Sequence, residues 1–190
     1  MSQATISSSC WHSADLALQK TDEWKRYEMI DGELCVTPAP HFGHQNAAGR
    51  IYARLLSWSD ETGAGQPIFS PGLIFTEADR VIPDVVWMSK ARLAASINDC
   101  GHLMSAPQLV VEVLSAEQAN EQRDREIKLQ LYALNGVQEY WIVNWRLRQV
   151  EVYRRHGAQL CAIATLLVGD AIASPLLRGF QCNVEHFFSA

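Results

Sequence analysis

Two carboxylates lie inside stretches of the sequence that are otherwise apolar, and they are the residues best suited to do chemistry. Glu112 interrupts residues 109–114, whose aliphatic and β-branched side chains predict a strand buried on both faces. Asp84 follows Pro83 in a second apolar stretch, residues 81–87, which also predicts a strand. An unpaired carboxylate in such a strand costs several kcal/mol of folding free energy. We therefore expect each acid to be neutralised, paired or bound to a metal.

A shared metal ion is one explanation for the two acids. If their strands are neighbours, the carboxylates of Asp84 and Glu112 could approach within about 4 Å, where they repel by about 4 kcal/mol at an effective dielectric constant of about 20. A divalent cation would remove that repulsion. Carboxylate oxygens without cysteine or paired histidine ligands favour Mg²⁺ or Mn²⁺ over zinc. The alternative is that Asp84 is a turn acid and Glu112 pairs with a buried arginine, and residue spacing leaves both explanations open.

Lys128 is a candidate for a third position in such a site. It belongs to a predicted helix over residues 121–135, on the border of an apolar stripe from which it could reach toward the sheet. Asp124 precedes it by four residues, which is the favourable orientation for an ion pair on a helix surface. Spacing alone therefore favours a surface pair over a role in the site. The stripe that predicts the buried face consists of Ile127, Leu131 and Leu134.

Three residues nearer the start of the chain could also contribute. Glu33 begins a strand just after the Asp31-Gly32 turn, where an isolated acid is usually solvated. His41 and His44 are three residues apart at the start of a predicted helix, and no HExxH motif or cysteine partner supports a zinc site. We expect His41 to cap the helix or face solvent, and His44 to border the site.

Strand and helix signals predict the elements that must bring these residues together. Asp31-Gly32, between two short alternating stretches, is the strongest local signal for a β-hairpin. The order of the elements predicts an α/β (α+β) fold, in which one mixed β-sheet is flanked by helices. A flexible tail over residues 1–12 and a single domain over residues 13–190 are expected. The predicted helices cover residues 13–24, 41–60, 121–135 and 184–188, with a short one within 89–107, and the later strands cover residues 67–76, 81–88, 108–114, 139–143, 149–153 and 159–168.

The composition is that of one folded domain without excess positive charge. Of the 190 residues, 48% are hydrophobic and 19% are charged, which argues against intrinsic disorder. The formal net charge of −5 excludes nucleic-acid binding by bulk electrostatics, so such contacts must be local or metal-assisted. The longest apolar stretch, residues 160–168, is too short to span a bilayer. Five scattered cysteines form neither a disulfide framework nor a zinc motif, which predicts a reduced, cytoplasmic protein.

Five motifs resemble, in order and spacing, those of the Uma-two family, which belongs to the PD-(D/E)XK, restriction-endonuclease-like nuclease superfamily. They are YEMIDGEL at residues 27–34, PDVV at 83–86, LVVEVLS at 109–115, the set Asp124, Lys128 and Tyr132, and GVQEYWIV at 136–143. The resemblance extends over residues 13–155, most of the chain. It implies a restriction-endonuclease-like core with an N-terminal β-hairpin, and a metal-dependent site for phosphodiester hydrolysis.

The resemblance also implies roles for individual residues. Asp84 matches the aspartate of the PD element and Glu112 the acid of the (D/E)XK element, whose strand here reads Glu-Val-Leu and lacks the usual lysine. Lys128 matches a lysine supplied by the following helix, and Glu33 matches an additional N-terminal acid. Mg²⁺ or Mn²⁺ would be held by Asp84, Glu112, Glu33 and the Val113 carbonyl. Lys128 would orient the attacking water or offset charge developing on the phosphate.

The implied substrate is DNA, and the implied assembly is a homodimer, by analogy with relatives that cut two strands. No helix-turn-helix, zinc finger or separate reading domain is visible in the sequence, so sequence-specific recognition is not expected. Six basic residues are candidates for phosphate contacts, although a solvated surface is the more common role for each of them: Arg50, Arg54, Arg146, Arg148, Arg154 and Arg155.

Two other functions compete with a DNA endonuclease. The first is a catalytically silent module on the same fold, which would bind protein or nucleic acid and in which the acids are structural. Its partner surface could be an aromatic run, with Tyr140, Trp141, Trp145 and Tyr153 forming a dimer face. The second is a metal-dependent hydrolase of another phosphate ester.

Overall fold

The computed structural model describes residues 25–115 and 117–189, so the tail predicted over residues 1–12 and the helix predicted over 13–24 lie outside the described residues. The helices are α1 (Phe42–Thr62), α2 (Lys90–Ala94) and α3, which runs through Gln118–Gln122, the π-helical Arg123–Ile127 and Lys128–Leu134, and a 3₁₀ helix, Val184–Phe187, lies near the end. The strands, in chain order, are β1 (Lys25–Ile30), β2 (Glu33–Pro38), β3 (Gly65–Phe69), β4 (Leu73–Ile74), β5 (Arg80–Val81), β6 (Val85–Ser89), β7 (Leu109–Val113), β8 (Glu139–Asn144), β9 (Gln149–His156), β10 (Gln159–Leu167), β11 (Ala171–Ala173) and β12 (Gln181–Asn183).

A six-stranded mixed sheet, ordered β10-β9-β8-β7-β6-β3, forms the centre of the fold. β7 and β8 are parallel, while the other neighbouring strands are antiparallel. These two central strands are buried along their whole length, as their continuous apolar sequences predict. One buried cluster joins the sheet to α1, and a second joins the opposite face to α3. The predicted mixed sheet flanked by helices is thus confirmed.

The predicted N-terminal hairpin is present as β1 and β2. Asp31 and Gly32 connect the strands with φ angles of 52° and 72°, the left-handed conformation that Asp-Gly favours in a two-residue turn. β1 pairs with β2 on one side and with β5 on the other, in a small sheet ordered β2-β1-β5-β4. This second sheet carries β1 close to the segment that leads into β6, and so places the β1 side chains near Asp84.

The long helix α1 begins and ends where its sequence predicts. His41 caps its first turn by accepting a hydrogen bond from the Gly43 amide at Nδ1, and Gly63 ends it with a φ of 64°. Its apolar residues pack into the cluster on one face of the sheet. None of the helices in the described ranges combines the length and the hydrophobicity of a membrane span.

Two predicted strands are each broken by a loop. The prediction of one strand over residues 81–88 is wrong, because β5 ends at Val81 and β6 begins at Val85. Pro83 lies in the break, where its lack of an N–H removes a ladder hydrogen bond. Asp84 is therefore the residue that leads into β6 rather than a residue within it. The strand predicted over residues 67–76 is likewise divided between β3 and β4.

Helix α3 turns a different face to the sheet from the one that its apolar stripe predicts. Ile127 and Leu134 are 49% and 84% exposed, and of that stripe only Leu131 is buried. The buried face instead carries Asp124, Lys128, Leu131 and Tyr132. The cause is electrostatic. Lys128 forms ion pairs with acidic side chains in the interior, so this polar face can be buried without leaving the lysine unpaired.

The last part of the chain contains elements that the sequence reveals less clearly. β8 and β9 form the predicted hairpin, and the final predicted helix is a short 3₁₀ helix. The small sheet of β11 and β12 was not predicted.

Tyr140 and Trp141 are fully buried in β8, so the prediction that the aromatic run forms a dimer face is wrong. These rings pack instead on the two faces of the sheet.

Gly65, at the start of β3, has no room for a side chain. A Cβ atom there would overlap the carbonyl oxygen of Met88 and the ring of Trp87 in the neighbouring strand. We expect Gly65→Ala to lower the free energy of unfolding by about 1–3 kcal/mol, measured by urea denaturation. Gly49→Ala, in α1, is the control, because no atom lies within 4 Å of the position that an alanine Cβ would take there. This substitution should stabilise the protein by about 0.4–1 kcal/mol, because alanine reduces the conformational entropy of the unfolded chain. A Gly65 variant as stable as the wild type would contradict this packing.

Candidate active site

Asp84 is a buried carboxylate held by two basic side chains and one backbone amide. Its Oδ1 accepts a hydrogen bond from Arg26 Nη1 at 3.0 Å. Its Oδ2 accepts one from the Val113 amide at 2.8 Å and lies 3.1 Å from His44 Nε2. Burial alone would raise the pKa of Asp84, but the hydrogen bond and charge of His44, the charge of Arg26 and the Val113 amide together hold it well below its ordinary value. Asp84 is therefore ionised at neutral pH.

The register of β6 and β7 brings Asp84 beside Glu112. Val85 pairs with Val111 in the antiparallel ladder, so the same register continued by one residue sets Asp84 opposite Glu112. Residues directly opposite in such a pair project from the same face, with Cβ atoms about 5 Å apart. The hydrogen bond from the Val113 amide to the Asp84 carboxylate shows that Asp84 stays close to β7 beyond the end of the paired segment.

Glu112 is buried in β7 and contacts α3. Its Oε1 accepts hydrogen bonds from Lys128 Nζ at 3.0 Å and from the Tyr132 hydroxyl at 2.6 Å. Burial raises the pKa of Glu112 to about 8; the charge of Lys128 opposes this, and the neighbouring acids Asp84, Asp124 and Glu28 add to it. Glu112 is therefore protonated more readily than an ordinary glutamate.

The raised pKa of Glu112 predicts how stability depends on pH. Between its ordinary value of 4.5 and about 8, the folded protein holds a proton that the unfolded chain has lost, so the free energy of unfolding should fall as pH rises through this window. We expect Glu112→Gln to remove this part of the slope, because glutamine has no proton to lose. Urea denaturation in EDTA at pH 5, 6, 7 and 8 measures it, and identical slopes for wild type and variant would contradict the assignment.

Lys128 points into the protein and joins three carboxylates. Its Nζ lies 3.0 Å from Glu28 Oε1, 3.0 Å from Glu112 Oε1 and 3.6 Å from Asp124 Oδ1. Burial would lower the pKa of Lys128, but the charges of Glu112, Glu28 and Asp124 raise it above its ordinary value, so the ammonium stays charged. The expectation of a pair on the helix surface is wrong, since Lys128 and Asp124 are both buried.

The N-terminal acid in this cluster is Glu28 and not Glu33. Glu33 is exposed at the start of β2, and within the described part of the chain nothing joins it to Lys128. Glu28, in β1, is buried and also accepts a hydrogen bond from the Ile82 amide at 2.8 Å. The sequence signal for it was weak, because only Met29 and Ile30 after Glu28 are apolar, and the strand begins with Lys25 and Arg26.

Truncating these two glutamates separately tests the assignment. Glu28→Ala should lower the free energy of unfolding by about 2–4 kcal/mol, because it removes a buried ion pair and leaves the Ile82 amide without its acceptor. Glu33→Ala should change it by less than about 0.5 kcal/mol, as is usual for exposed positions. Chemical denaturation measures both, and a larger loss from Glu33 than from Glu28 would reverse the assignment.

A cavity of about 240 Å³ adjoins the site at His44. His41 and residues 38–40 line it on one side, and Ser115 and Glu117 line it where the chain leaves β7. His44 was expected to border the site, and it lies directly against Asp84. Among the described residues, its buried Nδ1 has no hydrogen-bond partner, which is expected of a group completed by water or a ligand. The cavity therefore gives a route from solvent to the side chain that adjoins Asp84.

Most of the arginines proposed to contact phosphate have partners within the chain. Arg154 pairs with the buried Glu139, and Arg155 donates to carbonyl groups at the end of α3 and beyond it. Arg146 pairs with Glu121, and Arg50 donates to Asn46. Their contacts are those of structural residues. Arg54 and Arg148 are exposed.

The donors of the site fit a magnesium-type ion. Within residues 25–115 and 117–189, no three His, Cys, Asp or Glu side chains are arranged to hold a metal among themselves. Mg²⁺ needs fewer, since it is usually held by one or two carboxylates and keeps several waters. Asp84 and Glu112 offer two. The carbonyl of a strand residue points to the same edge of the strand as its amide, so we expect the Val113 carbonyl on the edge of β7 from which the Val113 amide contacts Asp84.

Comparison with known proteins identifies the family. The Uma2 family model, described as "Putative restriction endonuclease", matches residues 14–185. No curated protein matches the chain. A crystal structure from Anabaena variabilis, titled as a "putative nuclease belonging to DUF820", has a TM-score of 0.72 at 15% identity and covers 94% of this chain and 97% of its own, a likeness that concerns the fold alone. Because the family model spans nearly the whole chain, the protein belongs to the Uma2 family, which confirms the family that its five motifs indicate.

Proposed function

We propose that this protein is a metal-dependent endonuclease that hydrolyses phosphodiester bonds in DNA. The observation that carries the proposal is the pair formed by Asp84 and Glu112, two buried acids set opposite each other where β6 and β7 separate, with Lys128 bonded to Glu112. Membership of a family described as restriction endonucleases, and a fold shared with a structure titled as a nuclease, support the reaction class.

The residues of the site suggest a division of roles. Asp84, Glu112 and the Val113 carbonyl would hold Mg²⁺ or Mn²⁺. When bound, the metal would polarise the phosphodiester and lower the pKa of the attacking water. Arg26 and His44 hold Asp84 in a fixed orientation through hydrogen bonds to its two oxygens. These contacts favour the ionised form of Asp84, which is the form a metal requires.

Lys128 is a positioning residue in this proposal. Its ammonium is buried and bonded to Glu28 and Glu112, so it acts through Glu112 and not by direct contact with the substrate. The positive charge favours the ionised form of Glu112 and so favours metal binding. Glu28 and Asp124 in turn fix the ammonium. Glu33 has no role in the proposal, because it is exposed and outside the cluster.

A catalytically silent module is the second candidate, and one observation favours it. Both oxygens of Asp84 already accept hydrogen bonds within the chain, as expected of a purely structural acid. Calorimetric titration with Mn²⁺ separates the two functions: binding at or below millimolar concentration supports the nuclease, and no binding at millimolar Mn²⁺ supports the module.

Cleavage of nucleic acid tests the proposal directly. Purified protein is incubated with supercoiled plasmid in Mg²⁺, in Mn²⁺ and in EDTA, beside single-stranded DNA and a small phosphodiester such as bis(p-nitrophenyl) phosphate. We expect nicked or linear plasmid with either metal and intact plasmid in EDTA. Cleavage of the small ester alone would identify a different phosphodiesterase, and intact substrates under every condition would contradict the proposal.

A homodimer that cuts both strands is part of the proposal, by analogy with other restriction-endonuclease-like enzymes. Sedimentation of the purified protein with and without DNA tests it. A single species near the chain mass of 21.3 kDa under both conditions would contradict a dimer.

A cytoplasmic location stays a prediction from the cysteine pattern.

A further inference from the structure

The cavity of about 240 Å³ at the start of α1 lies where a substrate of the proposed nuclease would have to pass. It extends from His41, which is exposed, to His44, which is 4% exposed and lies 3.1 Å from Asp84. Residues 38–40, Pro-Ala-Pro, line one side. A ligand in this cavity would therefore lie next to the proposed metal ion, so the cavity has the position of a substrate subsite.

His41 presents to this cavity a ring whose position is fixed by two contacts. The ring stacks on Trp145, with centroids 4.7 Å apart and planes 10° apart, and its Nδ1 accepts a hydrogen bond from the Gly43 amide. Trp145 is itself held, because its Nε1 donates to the Leu114 carbonyl at 3.1 Å and its ring lies against Gly43. His41 is exposed, so the face of its ring that does not cover Trp145 is available to a second flat ring.

The charges around the cavity disfavour a phosphate as its occupant. The described residues that line it include one carboxylate, Glu117, and no lysine or arginine. The start of a helix offers amide groups to an anion, but here the Gly43 amide already donates to the ring of His41. An uncharged flat ring suits this lining better, because stacking on an aromatic side chain needs no positive charge.

We propose that the cavity binds one unpaired nucleobase of the DNA strand that is cut, stacked on His41 and with its edge toward His44 Nδ1. This inference rests on the proposed function for the choice of nucleic acid as the occupant. His44 Nδ1 is buried and has no hydrogen-bond partner among the described residues, and the edge of a base carries both donors and acceptors that can complete it. The two prolines of residues 38–40 restrict the backbone of the facing side, so that side is preformed.

A base in this cavity is one that has left the double helix. In a duplex, both faces of a base are stacked and its edge is paired, so it can meet neither His41 nor His44. Entry from a duplex would require the base to unstack and unpair, whereas a base in a single strand, a loop or a mismatch is already free of these contacts. The substrate class of the proposed nuclease is therefore DNA that is unpaired beside the cleaved bond.

Binding of fluorescein-labelled oligonucleotides, measured by anisotropy in Ca²⁺ and again in EDTA, tests the inference without relying on cleavage. We expect the wild-type protein to bind a short single strand at least about tenfold more tightly than the blunt duplex of the same sequence. A strand of the same length made of abasic nucleotides has the same phosphates but no bases. It should bind about 5–150-fold more weakly than the normal strand, the range expected for the loss of one stacked base.

Substitutions at His41 assign the effect to its ring. His41→Asn removes the ring but keeps a side-chain oxygen that can cap α1, and should bind the normal single strand about 5–150-fold more weakly than the wild type. His41→Phe keeps a ring and should retain most of the affinity. Phe42→Ala is the matched control, because it removes a 77% exposed ring that does not line the cavity, and it should bind within about twofold of the wild type.

The outcomes separate this inference from the proposed function. Equal affinity of the wild type for the abasic and the normal strand would overturn the inference, because the contacts would then be to the backbone alone. Tighter binding of the duplex, no binding of any oligonucleotide, or an unchanged affinity in His41→Asn would overturn it as well. The plasmid assay decides the nuclease separately: cleavage without base-dependent binding removes only this subsite, and base-dependent binding without cleavage removes only the nuclease.

Discussion

Asp84→Asn and Glu112→Gln are each expected to lower the metal-dependent cleavage of plasmid DNA by about 10³-fold, the magnitude typical of losing a group that stabilises transition-state charge. Asparagine and glutamine keep the shape of the side chain but remove the negative charge that a divalent ion requires. The rate of loss of supercoiled plasmid, at saturating Mg²⁺ and again at saturating Mn²⁺, measures the effect.

Glu33→Gln is the matched control for these two variants. It makes the same chemical change at the acid that the family resemblance implies but that the structure leaves exposed outside the cluster. We expect its cleavage rate to equal that of the wild type within about twofold, a difference of roughly 0.4 kcal/mol. Full activity in Asp84→Asn, or a large loss in Glu33→Gln, would contradict the site. Thermal unfolding of each variant establishes that lost activity is not lost structure.

Lys128→Met is expected to lower the free energy of unfolding in EDTA by about 3–5 kcal/mol, because it leaves buried acids without their central cation. Removing one partner of a buried ionic group exposes the other charges to their full desolvation cost. Lys90→Met, at the exposed first residue of α2, should change stability by less than about 0.5 kcal/mol. Urea denaturation at neutral pH measures both.

The double variant Lys128→Met with Glu28→Gln distinguishes a charge effect from a packing effect. Because Glu28→Gln removes one of the acids left without a partner, it should recover part of the stability lost in Lys128→Met, so the two changes are not additive. Additive losses would mean that Lys128 stabilises the fold through its aliphatic chain and not through its charge.

The parts of the fold that were predictable from the sequence are those with strong local signals. Asp31-Gly32 specifies a turn whose two left-handed residues few other pairs adopt, and the hairpin follows. The continuous apolar residues of β7 are typical of a central strand, and Glu112 is the one charged residue among them. The break at Pro83 was also signalled, but continuous hydrophobicity on both sides of the proline outweighed it in the prediction.

The site was less predictable, because tertiary pairing decides which charged residues are buried. The face that α3 buries carries Lys128, which pairs with acids in the interior, and not the apolar stripe. The helical period of the apolar residues does not predict this orientation. Glu28 and Glu33 are five residues apart on opposite strands of one hairpin, and the pairing of β1 with β5 is what brings Glu28 to the interior. Arg26 gave no signal, since its contact with Asp84 depends on the same long-range pairing.

The central claim is that Asp84 and Glu112 share a divalent ion, and a crystal soaked in Mn²⁺ tests it most directly. We expect a peak of anomalous density between the two carboxylates and the Val113 carbonyl, at about 2.0–2.3 Å from their oxygens, with Lys128 still paired with Glu28 and Glu112. No anomalous density at this position in millimolar Mn²⁺, with Arg26 and His44 still holding both oxygens of Asp84, would contradict it.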